Sequence, residues 1–230
     1  MTVDAPGWSP RLVGTRESWH AVGEHVLAVA RFQSVGRIGL AVAPGGFTTP
    51  PFGPRGRTVA VVGTDLVVTE QGSAPTRTPI TTLRAAAVAA GVEPGTPVTA
   101  YPATTPGDLD AALVVDVEAA KILAGWYTLG DGALRALEAE RVDGGRSPIT
   151  LWPEHFDAAL RADGVNYGVS LGDAAVPEPY LYVGPDTVPD GADGFWNQTF
   201  GAARTWADVS SAAEAVAFFR EGRRRAHPGG

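Results

Sequence analysis

Between residues 149 and 202 the chain concentrates the side chains that can do chemistry, in the run ITLWPEHFDAALRADGVNYGVSLGDAAVPEPYLYVGPDTVPDGADGFWNQTFGA. His155 and Asp157 stand two residues apart, and Glu178, Tyr180 and Tyr182 repeat the same spacing. In a strand, alternate side chains project to opposite faces, so a period of two sorts this stretch into two sides. Phe156, Ala158 and Leu160 take one side, with His155, Asp157 and Arg161 on the other. After a turn at 162–164, Val165, Tyr167 and Val169 oppose Asn166, Gly168 and Ser170. In the last strand Leu181 and Val183 oppose Glu178, Tyr180 and Tyr182. One face would then gather His155, Asp157, Arg161, Asn166, Ser170, Glu178, Tyr180 and Tyr182.

A histidine and a carboxylate two positions apart on a strand lie roughly 6–7 Å apart at the backbone and project in parallel. Such a pair can grip one metal ion, or work as a proton-transfer pair in which the carboxylate orients the imidazole. Glu178 supplies a third ligand or a second acid. His155, Asp157 and Glu178 are therefore the catalytic candidates. Asn166, Asp173, Tyr180, Tyr182, Trp196 and Asn197 are the ligand-binding candidates, Trp196 and Asn197 because an indole beside an amide suits the wall of a pocket for a flat or sugar-like ligand. The competing reading is a solvated sheet face held by ion pairs, Arg161 with Asp157 for instance. The acidic loop at 184–194 carries Asp186, Asp190 and Asp193 but lacks the ligand density of a calcium loop. Metal and cofactor stay unspecified.

The elements that must position these groups follow from periodicity. Ser18 can cap a helix from Trp19 to about Phe32, with Trp19, Val22, Val26 and Val29 as its apolar stripe and His20 and His25 off it, on a solvated face. From Val35 to Val42 the period changes to two, which reads as a strand. The Pro/Gly-rich run at 44–56 reads as a loop, and 59–62 with 66–69 as a hairpin about a three-residue turn. Thr81 or Thr82 can cap a short helix that ends at Gly91. A further strand is expected at 98–101. Asp116 opens the longest helix, reaching about Glu140, whose Gly125, Gly130 and Gly132 allow either close approach to a sheet or a break near Gly130. Strands follow at 149–151, 155–161, 165–170 and 178–183, and Ser211 with Glu214 forms a capping box for a last helix. Arg223 to Arg225 fall where that helix ends and offset its dipole.

The fold class expected is α+β, a single unit of mostly antiparallel sheets with packed helices. It would be built as two interlocked halves, 18–140 and 148–222, with a boundary near 141–147. At 230 residues the chain can bury roughly three quarters of its unfolded surface. The absence of cysteine excludes disulfides, iron–sulfur ligation and thiol chemistry. A net charge of −7 leaves no general basic surface for phosphates, so nucleic acid is not an expected partner. No apolar run reaches membrane-spanning length and the start lacks a signal-like segment, which makes a cytoplasmic protein the default.

The set LWPEHFD, NYGVSLGD, PEPYLYVGP and FWNQTFGA resembles a bacterial family of uncharacterised proteins, a domain of unknown function. The matching positions are Trp152, Pro153, His155, Phe156, Asp157, Gly172, Asp173, Pro177, Glu178, Pro179 and Tyr180. The N-terminal half is similar more loosely, through VGRIGLAVAP at 35–44. The stretch PGGFTTPPFGPRG stands where that family carries an aromatic, His-containing segment. The resemblance implies a grouping of residues and no activity. The functional expectation is binding of a small polar molecule at the His/Asp/Glu/aromatic face, extending to its hydrolytic turnover. The rival is a non-catalytic interaction protein whose aromatic face is covered by a partner or a second copy.

Overall fold

A computed structural model describes residues 9–95, 99–140, 145–189 and 194–227. The chain forms an α+β fold with two antiparallel five-stranded sheets. It divides into two compact units: among the described residues, 9–125 with 151–156 form one, and 126–150 with 157–227 the other. Of the expected boundary at 141–147, residues 141–144 lie outside the described residues.

The first unit begins with helix α1, Pro10–Val22, continued through a π-helical segment, Gly23–Leu27, into α2, Ala28–Val35. Its start lies nine residues before the Trp19 start expected, because Pro10 occupies the first turn, where a missing N–H costs nothing. Ser18 is accordingly inside the helix and not its cap. Its hydroxyl donates to the Val114 carbonyl at 3.1 Å and accepts the Val114 N–H at 2.9 Å. Every residue from 21 to 30 is buried, so this segment is enclosed all round.

The first sheet is a meander of β1 (Ala41–Ala43), β2 (Gly46–Thr48), β3 (Thr58–Val62), β4 (Asp65–Thr69) and β5 (Thr76–Pro79). The strand expected from Val35 is shortened to β1, because α2 runs on to Val35 and ends at a left-handed Gly36. The Pro/Gly loop in turn contains β2, paired on one side with β1 and on the other with β3. Val62 pairs with Asp65, so the hairpin turn has two residues and not three. Helix α3, Leu83–Ala90, has the caps its sequence announces: Thr82 accepts the Ala85 N–H, and Gly91 is left-handed. Of the strand expected at 98–101, Val98 lies outside the described residues and 99–101 is not strand.

Helix α4, Val117–Glu138, carries residues of both units. Asp116 caps it by accepting the N–H groups of Glu118 (3.0 Å) and Ala119 (2.9 Å). The second sheet comprises β6 (Thr150–Trp152), β7 (Asp157–Ala162), β8 (Val165–Ser170), β9 (Tyr180–Pro185) and β10 (Ala202–Thr205), in the order β10-β9-β8-β7-β6. Its apolar face is the one the alternation marks: Ala158, Leu160, Val165, Tyr167, Val169, Leu181 and Val183 are all buried. Helix α5, Ala212–Ala226, opens on Ser211 as expected and lays Phe219 edge-on to Tyr167 at 5.8 Å. Its terminal arginines are ion-paired, Arg223 with Glu140 and Arg224 and Arg225 with Glu221. No helix among the described residues is long and apolar enough to cross a membrane.

Gly130 is a point of close approach, one of the two readings its sequence position allows. A β-carbon built there would stand 2.3 Å from Val169 Cβ, whereas at Gly125, in the same helix, nothing lies within 4 Å. Helix propensity favours alanine at both positions by about 1 kcal/mol, but at Gly130 overpacking costs about 1–3 kcal/mol and opposes it. Urea unfolding should therefore show Gly130→Ala destabilised and Gly125→Ala unchanged or stabilised.

Candidate functional site

The polar face of the second sheet is real but smaller than the alternation suggests. In register, Asp157 stands opposite Ser170, Ser170 opposite Tyr180, and Tyr180 opposite Thr205, one row across four strands. Tyr182 lies in the next row, opposite Gly168 and Ala203. Its ring lies across Gly168, where a β-carbon would come within 2.3 Å of it, and its hydroxyl donates to Asp157 Oδ2. Only a residue without a side chain leaves room for that crossing. The Tyr180 hydroxyl donates to Asp173 Oδ2 at 2.5 Å, and Asp173 Oδ1 accepts the N–H groups of Ala175 and Val176. Tyr180, Tyr182 and Phe200 form a ring cluster with centroids 6.1–6.3 Å apart.

Two of the three catalytic candidates fall outside this face. Pro153 cannot extend a strand's hydrogen bonding, and 153–156 is a turn closed by the Phe156 N–H on the Trp152 carbonyl at 2.7 Å. Phe156 is left-handed, with φ of 53°, so the alternation is broken before β7 begins at Asp157. His155 is exposed in that turn and does not share the strand of Asp157. Glu178 precedes β9 and accepts the Trp206 indole N–H at 2.9 Å. Arg161 pairs with Asp186 at 2.7 Å and not with Asp157, which lies at the other end of β7 and takes the Tyr182 hydroxyl. Asn166 stands beside Arg161, its Oδ1 at 3.5 Å from the guanidinium. Asn197 binds both backbone groups of Ala203, and Trp196 packs edge-on to Phe195 at 4.8 Å. Asp190 and Asp193 lie outside the described residues.

A second constellation, in the first unit, escaped the sequence reading. Glu24, on the π-helical segment, is fully buried at 0 % exposure. One of its oxygens accepts the Thr104 N–H at 2.9 Å, and the other accepts the Thr105 N–H at 2.8 Å and the Thr105 hydroxyl at 2.5 Å. Thr104 Oγ1 lies 3.1 Å from both Glu24 Oε1 and the Glu154 carbonyl, and with one proton it donates to one of them at a time. His25, 4 % exposed, donates from Nε2 to the Thr105 carbonyl at 3.2 Å. His20 donates from Nε2 to the Pro153 carbonyl at 2.8 Å and stacks on Phe156, centroids 4.7 Å apart and planes 6° apart. Neither histidine is the solvated helix residue its spacing suggests. Burial holds the His20 imidazole below its usual range against the opposing effect of the Pro153 carbonyl, which keeps it neutral at pH 7.

Within this cluster two buried polar atoms, Tyr101 Oη and Glu154 Oε2, have no hydrogen-bond partner among the described residues. Tyr101 is 9 % exposed, and its hydroxyl feels both Glu24 and Glu154. Thr104 and His155 are exposed, so the cluster reaches the surface. The π-helical turn and the left-handed Phe156 mark the same place, and both features recur at functional sites.

A shallow groove of about 350 Å³ elsewhere in this unit is lined by Phe52, Arg55, Arg57 and Glu70 among others. Its charges are spent internally: Arg55 pairs with Glu70 at 2.8 Å and Arg57 donates to the Ala90 carbonyl. Among the described residues no group of three or more His, Asp or Glu side chains is placed to hold a metal ion. No protein-family model, curated protein or solved structure matches the chain.

The five tyrosines report on how enclosed these sites are. Burial raises Tyr127, Tyr180 and Tyr182 well above the usual phenol range, reinforced by the Asp157 and Asp173 carboxylates, and raises Tyr101 likewise. Tyr167 is pushed up to about 12. A phenol whose folded pKa exceeds its unfolded value of about 10 stabilises the fold fully below pH 10, and that stability is lost as pH rises through the folded value. Absorbance at 295 nm should show almost no tyrosinate in the folded protein at pH 10.5. Stability should fall above pH 10 by up to about 1.4 kcal/mol per pH unit for each tyrosine.

Proposed function

We propose that this protein binds a small polar molecule at the cluster of Tyr101, Glu154, Glu24 and Thr104. The observation that carries the proposal is the pair of orphaned buried atoms. An unsatisfied buried donor or acceptor costs about 1–3 kcal/mol, and two of them in one cluster, where Glu24 and Glu154 both act on Tyr101, suit a guest that supplies the missing hydrogen bonds. The surrounding groups are held rigidly. Glu24 ties the 104–105 backbone to the helix, and the stack of His20 on Phe156 fixes the turn that bears Glu154 and His155. A binding site gains from such preorganisation, because little entropy remains to be lost when the guest arrives. His155, exposed beside Glu154 in sequence, serves as a rim group.

Hydrolytic turnover is not part of this proposal. Asp157 takes the Tyr182 hydroxyl and Glu178 the Trp206 indole, while His155 lies off their sheet face, so the three are not assembled as one acid–base set.

A thermal-shift screen of polar metabolites tests the reading. At least one compound should stabilise the wild type and fail on Tyr101→Phe. The unliganded variant should be as stable as wild type, or up to about 1 kcal/mol more stable, since only an unsatisfied hydroxyl is lost. His155→Ala should weaken binding without changing unliganded stability. A Tyr101→Phe variant that is clearly less stable, with no hit on either protein, contradicts the proposal.

A second reading, association through the aromatic face of the second sheet, is favoured by one observation. Tyr182 and Phe200 remain only partly buried although the polar groups around them are consumed. Sedimentation over a concentration series should then show self-association or partner capture that Phe200→Ser abolishes; a monomer at all concentrations with no partner argues against it.

A further inference from the structure

The chemistry of the orphaned site restricts what its guest can be. Nearly every donor around it is already used. His20 Nε2–H goes to the Pro153 carbonyl, His25 Nε2–H to the Thr105 carbonyl, and the N–H groups of Thr104 and Thr105 with the Thr105 hydroxyl to Glu24. What remains is acceptor capacity. Glu154 Oε2 is unoccupied by any described donor, and the carbonyls of Pro153, Glu154 and Thr105 each keep a second lone pair. The Tyr101 hydroxyl is a buried, uncommitted group that can donate and is equally able to accept. Charge points the same way. Two carboxylates, Glu24 and Glu154, act on Tyr101, while the arginine that acts on His20, Arg16, stands 3.7 Å from Glu17.

A carboxylate or phosphate guest would meet acceptors with its own acceptors and negative charge with negative charge. A polyol would bring donors without charge. An ammonium group brings three donors, no acceptor and a positive charge, which matches the inventory. Resting on the binding reading above, we infer that the guest presents a protonated primary amine to Tyr101 Oη and Glu154 Oε2. The ligand class is thus small aliphatic amines or amino alcohols. The buried, unpartnered Tyr101 hydroxyl distinguishes this site from an ordinary patch of surface acids, because it offers a fixed lone pair inside the protein.

Calorimetric titration of the full chain at pH 7.5 and constant ionic strength tests the inference with four probes: ethanolamine, 1,4-diaminobutane, ethylene glycol and tetramethylammonium chloride. Ethanolamine or 1,4-diaminobutane should bind saturably. Ethylene glycol, which matches ethanolamine in size without the charge, should not, nor should tetramethylammonium, which has the charge without an N–H. Glu154→Gln should raise the dissociation constant for the amine about tenfold or more, as expected for loss of a charged hydrogen-bond partner. Its unliganded melting temperature, recorded alongside, separates a binding defect from a folding defect, and the wild-type probe series decides without any variant. Binding of ethylene glycol at least as tight as that of the amines overturns the amine assignment and leaves a polar-ligand site. Binding of tetramethylammonium equal to ethanolamine replaces hydrogen bonding by bulk electrostatics and also overturns it. If neither these probes nor a broad metabolite library binds, the inference and the binding reading fall together.

Discussion

The carboxylate of Glu24 is the constraint on which the first unit depends. A charge at 0 % exposure is expensive unless its oxygens are satisfied. Glu24 reaches satisfaction by drawing two consecutive backbone N–H groups and a hydroxyl from Thr104 and Thr105 onto itself. Those threonines stand 80 and 81 positions away in sequence, so one side chain fixes where a long irregular segment must lie. Once that segment is pinned, His25 finds the Thr105 carbonyl, Gly107 leaves room for the His25 ring, which a β-carbon there would meet at 3.1 Å, and Tyr101 is brought into the interior with its hydroxyl unspent. Glu24 and His25 both lie on the π-helical turn. An i to i−5 bond, from the Ala28 N–H to the Gly23 carbonyl, rotates the residues around it out of the 3.6-residue phase.

The second unit ties most polar groups of the candidate set to one another. Tyr182 spans Gly168 to reach Asp157, Tyr180 meets Asp173, Trp206 meets Glu178, and Asn197 takes both backbone groups of Ala203. Each of these hydrogen bonds joins a sheet residue or its flanking loop to another part of the same unit. Such networks specify register and loop position when complete. Asp157, Asp173 and Glu178, which look catalytic by type, here fasten a sheet face and its flanking loops.

Local chemistry made much of the fold legible. Thr82 and Gly91 bracket α3, Asp116 opens α4, Ser211 opens α5, and the alternation from Ala158 to Val183 identifies the buried face of the second sheet residue by residue. Where the reading failed, the cause was either a local signal outweighed or a partner too distant to see. Pro153 ends strand pairing before His155, whereas the even spacing of His155 and Asp157 points to a strand through both. The π-helical phase shift leaves no mark in a periodicity count, which does not mark Glu24 and places His25 on a solvated face. The partner of His20 is the Pro153 carbonyl, 133 residues away, which no window along the chain can contain. Strand β2 was hidden in a Pro/Gly-rich run because its three residues owe their conformation to pairing on both sides.

The central claim is that Tyr101 Oη and Glu154 Oε2 together bind one guest. A crystal structure of the protein at a resolution that shows ordered water, grown in the presence of ethanolamine, addresses it most directly. The account predicts continuous density for the amine, with its nitrogen within hydrogen-bonding distance of both oxygens. A single ordered water bridging the two oxygens in the presence of the amine, or a collapse that brings them into direct contact, would contradict it.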